Sequence, residues 1–146
     1  MYDSMFNEKY FGNGYVVFEH ETNLWWLRFL KKGFRHCYLL LKLSGEKEQW
    51  LEINPMSNQI CFFVHANPLN FDYIYHLKKK ENIKVIPVKF RQAPLKAAPL
   101  APFTCVEFIK RVLGIHDVCI ATPYKLYKYL TITQNCRKKV LTNDFF

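Results

Sequence analysis

Thr104-Cys105-Val106-Glu107 has the spacing of a capping box, in which a threonine hydroxyl caps a helix and a glutamate three positions on reaches back. Cys105 then sits in the first helical turn, where unpaired backbone N–H groups and the positive end of the dipole favour a thiolate and lower its pKa. A thiolate so placed can attack a carbonyl carbon. The same position also suits a small buried residue that does no more than fill the inner face of an amphipathic helix.

A thiol nucleophile needs a base, and the chain offers histidines at 20, 36, 65, 76 and 116. His36 falls in a predicted strand beside the core, where its imidazole could be held rigidly against a helix terminus packed on the sheet. His116 follows the far end of the Cys105 helix, about 15 Å away at 1.5 Å rise per residue, and is out of reach. His65 ends another predicted strand and is a second candidate. His20 and His76 read as surface or edge residues.

The base needs a polar partner on its other nitrogen. If the turn after residue 43 pairs Leu43 with Lys47, His36 lies opposite Asn54 and Tyr38 opposite Glu52. A one-residue change of register would turn Asn54 and Glu52 away from the His36 face. Asn54 is the first choice to orient the histidine and Glu52 the second; otherwise they are a polar strand end before Pro55 and a solvent-facing acid.

The elements that must position these residues can be read in outline. Residues 34–43 and 48–54 flank the turn Ser44-Gly45-Glu46-Lys47 and form a predicted β-hairpin, and residues 59–65 add a third strand to make an antiparallel meander. Residues 15–30 form a packed segment whose period does not separate strand from helix. Residues 70–80 show helical spacing through Phe71, Ile74, Tyr75 and Lys78, and residues 83–90 return to strand composition around Pro87.

Pro94, Pro99 and Pro102 stiffen a loop over 92–103 that leads into the Cys105 helix. That helix carries apolar residues at 105, 108, 109, 112 and 113, facing inward, and stops at Gly114. Thr122-Pro123 starts a short further helix that carries Lys125 and Lys128 outward, and a solvated basic tail follows from about residue 135 to 146. The expected fold is α+β, a single domain over 1–146 with an antiparallel sheet of about four to six strands and the Cys105 helix packed across it.

The order strand histidine, polar residue on the next strand, and later a helix-start cysteine resembles the permuted papain-like NlpC/P60 superfamily, which includes lecithin-retinol acyltransferase-like proteins. The segments carrying the resemblance are Trp26-Leu-Arg-Phe-Leu-Lys-Lys-Gly-Phe-Arg-His-Cys37, Trp50-Leu-Glu-Ile-Asn-Pro55 and Ala101-Pro-Phe-Thr-Cys-Val-Glu-Phe-Ile-Lys-Arg-Val-Leu-Gly114, with Thr122-Pro-Tyr-Lys-Leu-Tyr127. They look most like small uncharacterised proteins of bacteria and tailed phages, over about residues 25 to 130. The resemblance implies Cys105 as nucleophile, His36 as general base and Asn54 as the residue that fixes the imidazole. It implies a cofactor-free cysteine hydrolase or acyltransferase acting on an amide or ester, such as a peptidoglycan peptide, isopeptide or lipid acyl bond. Related chains more often carry Asp before the proline; the amide of Asn54 can orient a histidine but adds no negative charge.

Composition bounds the alternatives. The chain has 146 residues, 50% hydrophobic and 17% aromatic, which is enough apolar material for one real core. Its 21 Lys and Arg against 12 Asp and Glu give a net charge of +9, which disfavours strongly basic partners and favours anionic ones: nucleic acid, lipid or cell-wall polymer. Lys78, Lys79, Lys80, Lys84, Lys89, Arg91 and Lys96 make a basic face over 78–96 that could contact phosphate, although no nucleic-acid-binding motif accompanies it. A non-catalytic structural protein, such as a phage particle component, is a third reading.

No apolar run exceeds the five residues of 37–41, against the ~20 of a membrane-spanning helix, so no transmembrane segment is expected. The acidic N-terminus lacks the basic and apolar regions of a signal peptide, which predicts cytoplasmic residence, or association with a virion. Five cysteines without a CxxC argue against a disulfide framework, and a metal site would need Cys37, Cys61, His65 or Cys119 to converge from separate strands.

Overall fold

The computed structural model describes residues 14–22, 24–43, 49–66, 72–90 and 100–143, with side chains as far as residue 136. Five strands form one antiparallel sheet: β1 (Gly14–Glu19), β2 (His36–Leu43), β3 (Gln49–Pro55), β4 (Ile60–Ala66) and β5 (Ile83–Val88), in the order β4-β3-β2-β1-β5. Helix α1 (Tyr73–Lys79) precedes β5, and α2 (Cys105–Leu113) and α3 (Pro123–Asn143) follow it. The α+β expectation, the meander β2-β3-β4 and the helix before β5 are all present.

The sheet is covered on both faces. Phe18, Leu39 and Leu41 pack with Val106 and Ile109 of α2 and Leu126 and Leu130 of α3, while Val17, Tyr38, Leu40 and Trp50 pack with Ile74 and Leu77 of α1. Strands buried on both faces have no polar side and so read as continuous apolar runs. This explains why residues 15–30 resisted assignment: Val16, Val17 and Phe18 are all fully buried in β1, and the rest of the segment contains a short 3₁₀-helix, Trp25–Phe29. Pro87 is tolerated because β5 is an edge strand.

Helix α2 starts and stops where its sequence says. The Thr104 hydroxyl accepts from the Glu107 N–H at 3.1 Å, and Gly114 adopts the left-handed conformation (φ 66°) that lets its own N–H and that of Ile115 close on the carbonyls of Arg111 and Lys110. The second half of the expected capping box is replaced. The Glu107 carboxylate turns along the helix to accept from Lys110 Nζ at 2.9 Å and Arg111 Nε at 3.4 Å, because two cations one turn away offer stronger charge-assisted bonds than a neutral amide. The inward face is centred on Val106 and Ile109, with positions 105, 108, 112 and 113 partly buried beside them.

Two further expectations need correction. Helix α3 runs for 21 residues where a short helix is expected, and the basic segment expected as a tail from about 135 continues it to Asn143. Neither glycine nor proline interrupts residues 124–143, so nothing in the backbone stops propagation. The hairpin register also differs: Leu43 pairs with Gln49 and Leu40 with Glu52, two positions from the expected pairing. Registers that differ by two present the same side chains to the same faces, so the hydrophobic pattern does not distinguish them. The expected turn at 44–47 and most of the proline-rich loop, residues 91–99, lie outside the described residues.

Replacing Thr104 by Ala removes the one side-chain cap at the start of α2 and is expected to lower stability by about 1 kcal/mol in a urea unfolding series. An unchanged midpoint would show that the cap contributes nothing to holding Cys105 in place.

Candidate active site

The start of β2 and the start of α2 meet. His36 is the first residue of β2 and Cys105 the first of α2, and their side chains lie close enough for each to shift the ionisation of the other. The approach of β2 is fixed by Phe34, whose ring packs against Phe18, Tyr124 and Tyr127 at centroid distances of 5.9, 5.2 and 4.8 Å. The Arg35 N–H bonds the Glu19 carbonyl at 3.0 Å and Glu19 pairs with His36, so the strand begins in a set position.

Asn54 is the partner of His36 despite the shifted register. The amide Oδ1 lies 2.7 Å from His36 Nε2, reached along a diagonal of the β2–β3 pair rather than straight across. Asn54 Nδ2 donates to Glu52 Oε1 at 3.1 Å, and a carboxylate can only accept, so the amide orientation follows: Oδ1 faces the histidine. Nε2 therefore carries a hydrogen and donates it, and Nδ1 is left for Cys105.

The chain of contacts continues beyond the residues chosen from the sequence. The second oxygen of Glu52 lies 2.9 Å from His65 Nε2, and the His65 ring stacks on Tyr73 of α1 at 5.2 Å. Glu52 thus supports Asn54 and does not take its place, and His65 anchors Glu52 instead of serving Cys105. His20 is structural: its Nδ1 accepts from the Gly33 N–H at 3.0 Å, where Gly33 adopts φ 84°. His116 lies beyond α2 and is exposed, as is His76.

The electrostatics favour an ion pair. The Cys105 pKa is lowered to about 5: a hydrogen bond from the Cys37 thiol is the largest influence, burial opposes it, and the His36 hydrogen bond and charge and the Cys37 backbone N–H add to the lowering. The His36 pKa is raised above its usual value, because the contacts with Cys105 and Asn54 and the nearby Glu19 charge outweigh the opposing effect of burial. Cys37 itself is pushed well up by complete burial and by the Cys105 thiolate it donates to, so it remains a thiol.

Sequence reasoning missed Cys37 in this role. It follows His36 directly, and alternation along β2 sends the two side chains to opposite faces. Only a helix terminus seated over the end of the strand can touch both. Cys61 is partly buried in β4, and Cys119 and Cys136 are exposed. Among the described residues no three His, Cys, Asp or Glu side chains gather as a metal site.

Lys78, Lys79, Lys80, Lys84 and Lys89 of the expected basic face are exposed; Arg91 and Lys96 lie outside the described residues. A depression of about 300 Å³ lined by Lys32, Gly33, Phe34, Glu81, Asn82 and Lys84 includes neither Cys105 nor His36. Among the described residues no helix is long and apolar enough to cross a membrane. No protein-family model, curated protein or solved structure matches the chain.

With the cysteine lowered and the histidine raised, the charged pair persists between the two pKa values and is lost below about 5 as the thiolate protonates. Alkylation of Cys105 by iodoacetamide, located by mass spectrometry, is expected to titrate with a midpoint near 5 rather than the ~8.5 of a free thiol. His36→Ala and Cys37→Ala should each move that midpoint upward. A free-thiol midpoint that neither substitution shifts would remove the ion pair.

Proposed function

We propose that the chain is a cysteine-dependent hydrolase or acyltransferase acting on an amide or ester bond, folded as a circularly permuted papain-like domain. The observation that carries this reading is the His36 Nε2 to Asn54 Oδ1 bond of 2.7 Å, which leaves Nδ1 of the same ring to the thiol at the start of α2. Nucleophile, base and orienting amide are then in series, the arrangement that thiol catalysis requires.

In the proposed mechanism the Cys105 thiolate attacks the carbonyl carbon of the substrate. The negative oxygen that forms is held by the Cys105 backbone N–H at the start of α2, which the helix itself leaves without a partner, the Glu107 N–H being taken by Thr104. The His36 imidazolium gives its Nδ1 proton to the leaving amine or alcohol, and a thioester remains on Cys105. His36, now neutral, takes a proton from water or an acceptor amine, whose attack releases the acyl group and leaves the Cys105 thiolate beside the reprotonated imidazolium. Asn54 holds the ring in place throughout, and Glu52 fixes Asn54.

Incubation with p-nitrophenyl esters and peptide p-nitroanilides tests the reading. The expected result is a burst of nitrophenol or nitroaniline with the acyl group trapped on Cys105, detected by mass spectrometry. Cys105→Ser should abolish the burst and His36→Ala should slow it by about 10²–10⁴-fold, both in a chain that remains folded. Asn54→Ala should lower kcat more than it changes KM, since it acts through the histidine. Turnover that survives Cys105→Ser would overturn the proposal. If Cys105 never acylates while charge reversal at Lys78, Lys79 and Lys80 abolishes polyanion binding, the nucleic-acid reading takes its place; indifference to both favours a structural component.

A further inference from the structure

We propose that the connection between β1 and β2 is a docking tip for an anionic lipid surface, with Trp25, Trp26 and Phe29 entering the headgroup region and the surrounding cations holding its charge. The 3₁₀-helix Trp25–Phe29 has none of its five residues buried. Trp25 is 71% exposed, Trp26 48% and Phe29 86%. Three large aromatic side chains facing water within five residues call for a partner.

The tip is built rather than slack. At its base the Gly33 N–H bonds His20, the Arg35 N–H bonds Glu19, Phe34 is held in its aromatic cluster, and Lys31 Nζ sits 3.5 Å over the Tyr124 ring. A 3₁₀-helix has three residues per turn, so Trp26 and Phe29 lie on one side of it and Trp25 and Arg28 on another. Trp26 and Phe29 are thus presented together, with Trp25 on the adjoining side, at the end of a fixed pedestal.

Charge selects the partner. The connection, residues 20–35, contains Arg28, Lys31, Lys32 and Arg35 against one acid, Glu21. Glu19 pairs with both His36 and Ile83, so the tip springs from the same end of the sheet as the exposed lysines at the close of α1 and the start of β5, Lys78, Lys79, Lys80 and Lys84. Aromatic residues that are half apolar and half wet, ringed by cations, match the composition of interfacial segments on anionic leaflets.

Area argues against a protein partner. Three aromatic side chains of about 150–250 Å² each, only partly exposed, fall short of the about 800 Å² that each side of a stable protein interface buries. Interfacial insertion needs only a tip that enters about 5–10 Å. Docking of this kind is independent of turnover at Cys105.

Flotation with vesicles tests it directly, using phosphatidylcholine alone and phosphatidylcholine mixed with phosphatidylglycerol, the mixed vesicles also prepared with brominated acyl chains. The expected result is binding to the anionic vesicles alone, with tryptophan emission shifted to the blue and quenched by bromine. The variant W25A/W26A/F29A keeps the net charge and should bind at least tenfold more weakly, as should Phe29→Ser to a lesser degree, while both bind heparin as the wild type does. Absence of flotation, binding by the triple variant equal to wild type, lack of bromine quenching, or parallel loss of heparin binding would each overturn the proposal. The first three exclude insertion, and the last makes the tip a general polyanion contact.

Discussion

The seating of the first turn of α2 over the first residues of β2 is the contact on which the candidate site depends. Neighbouring residues of a strand point to opposite faces, so His36 and Cys37 cannot share a partner that lies on one face of the sheet. A helix terminus at the end of the strand can reach both, and Cys105 is the residue at that terminus. The same thiol therefore receives an imidazole from one side of β2 and a thiol donor from the other.

Burial alone would keep a cysteine protonated, and at Cys105 it works in that direction. Directed hydrogen bonds win because each comes from a group the fold has already immobilised: Cys37 is fully buried in the core, and His36 is tethered to Asn54. Asn54 lacks the charge of an aspartate, but Glu52 stands behind it and is itself bonded to His65. Negative charge is present one residue further from the histidine, where it fixes the amide without lying against the thiolate. The α2 face of the sheet and the α1 face thus contribute different things, the Cys105 thiol and the network that orients His36.

Much of this is legible in the amino-acid sequence. The cap at Thr104, the stop at Gly114 and the stripe between them are local signals, complete within about ten residues, and they place Cys105 in a first helical turn. The alternation of β2 and β3 places His36 and Asn54 on one face in either of two registers that differ by two, because parity and not alignment decides the face. Strand β1 was not legible, since a strand covered on both sides carries no alternation, and the length of α3 was hidden by weak helix formers such as Thr131 and Thr133, whose hydroxyls bond back to the carbonyls of Tyr127 and Tyr129.

The sequence by itself determined the parts: an α+β chain with a thiol at a helix start, a histidine and an amide on adjoining strands, and a surplus of positive charge. Only the tertiary structure decided their relation, in three places. It set the diagonal by which Asn54 reaches His36, recruited Cys37 as a donor to Cys105, and left Trp25, Trp26 and Phe29 outside the core. The reason is common to all three. Local pattern specifies which face a side chain takes, but which elements come to lie against that face depends on contacts between residues far apart in the chain, and those exist only once the sheet and its two covering layers have closed.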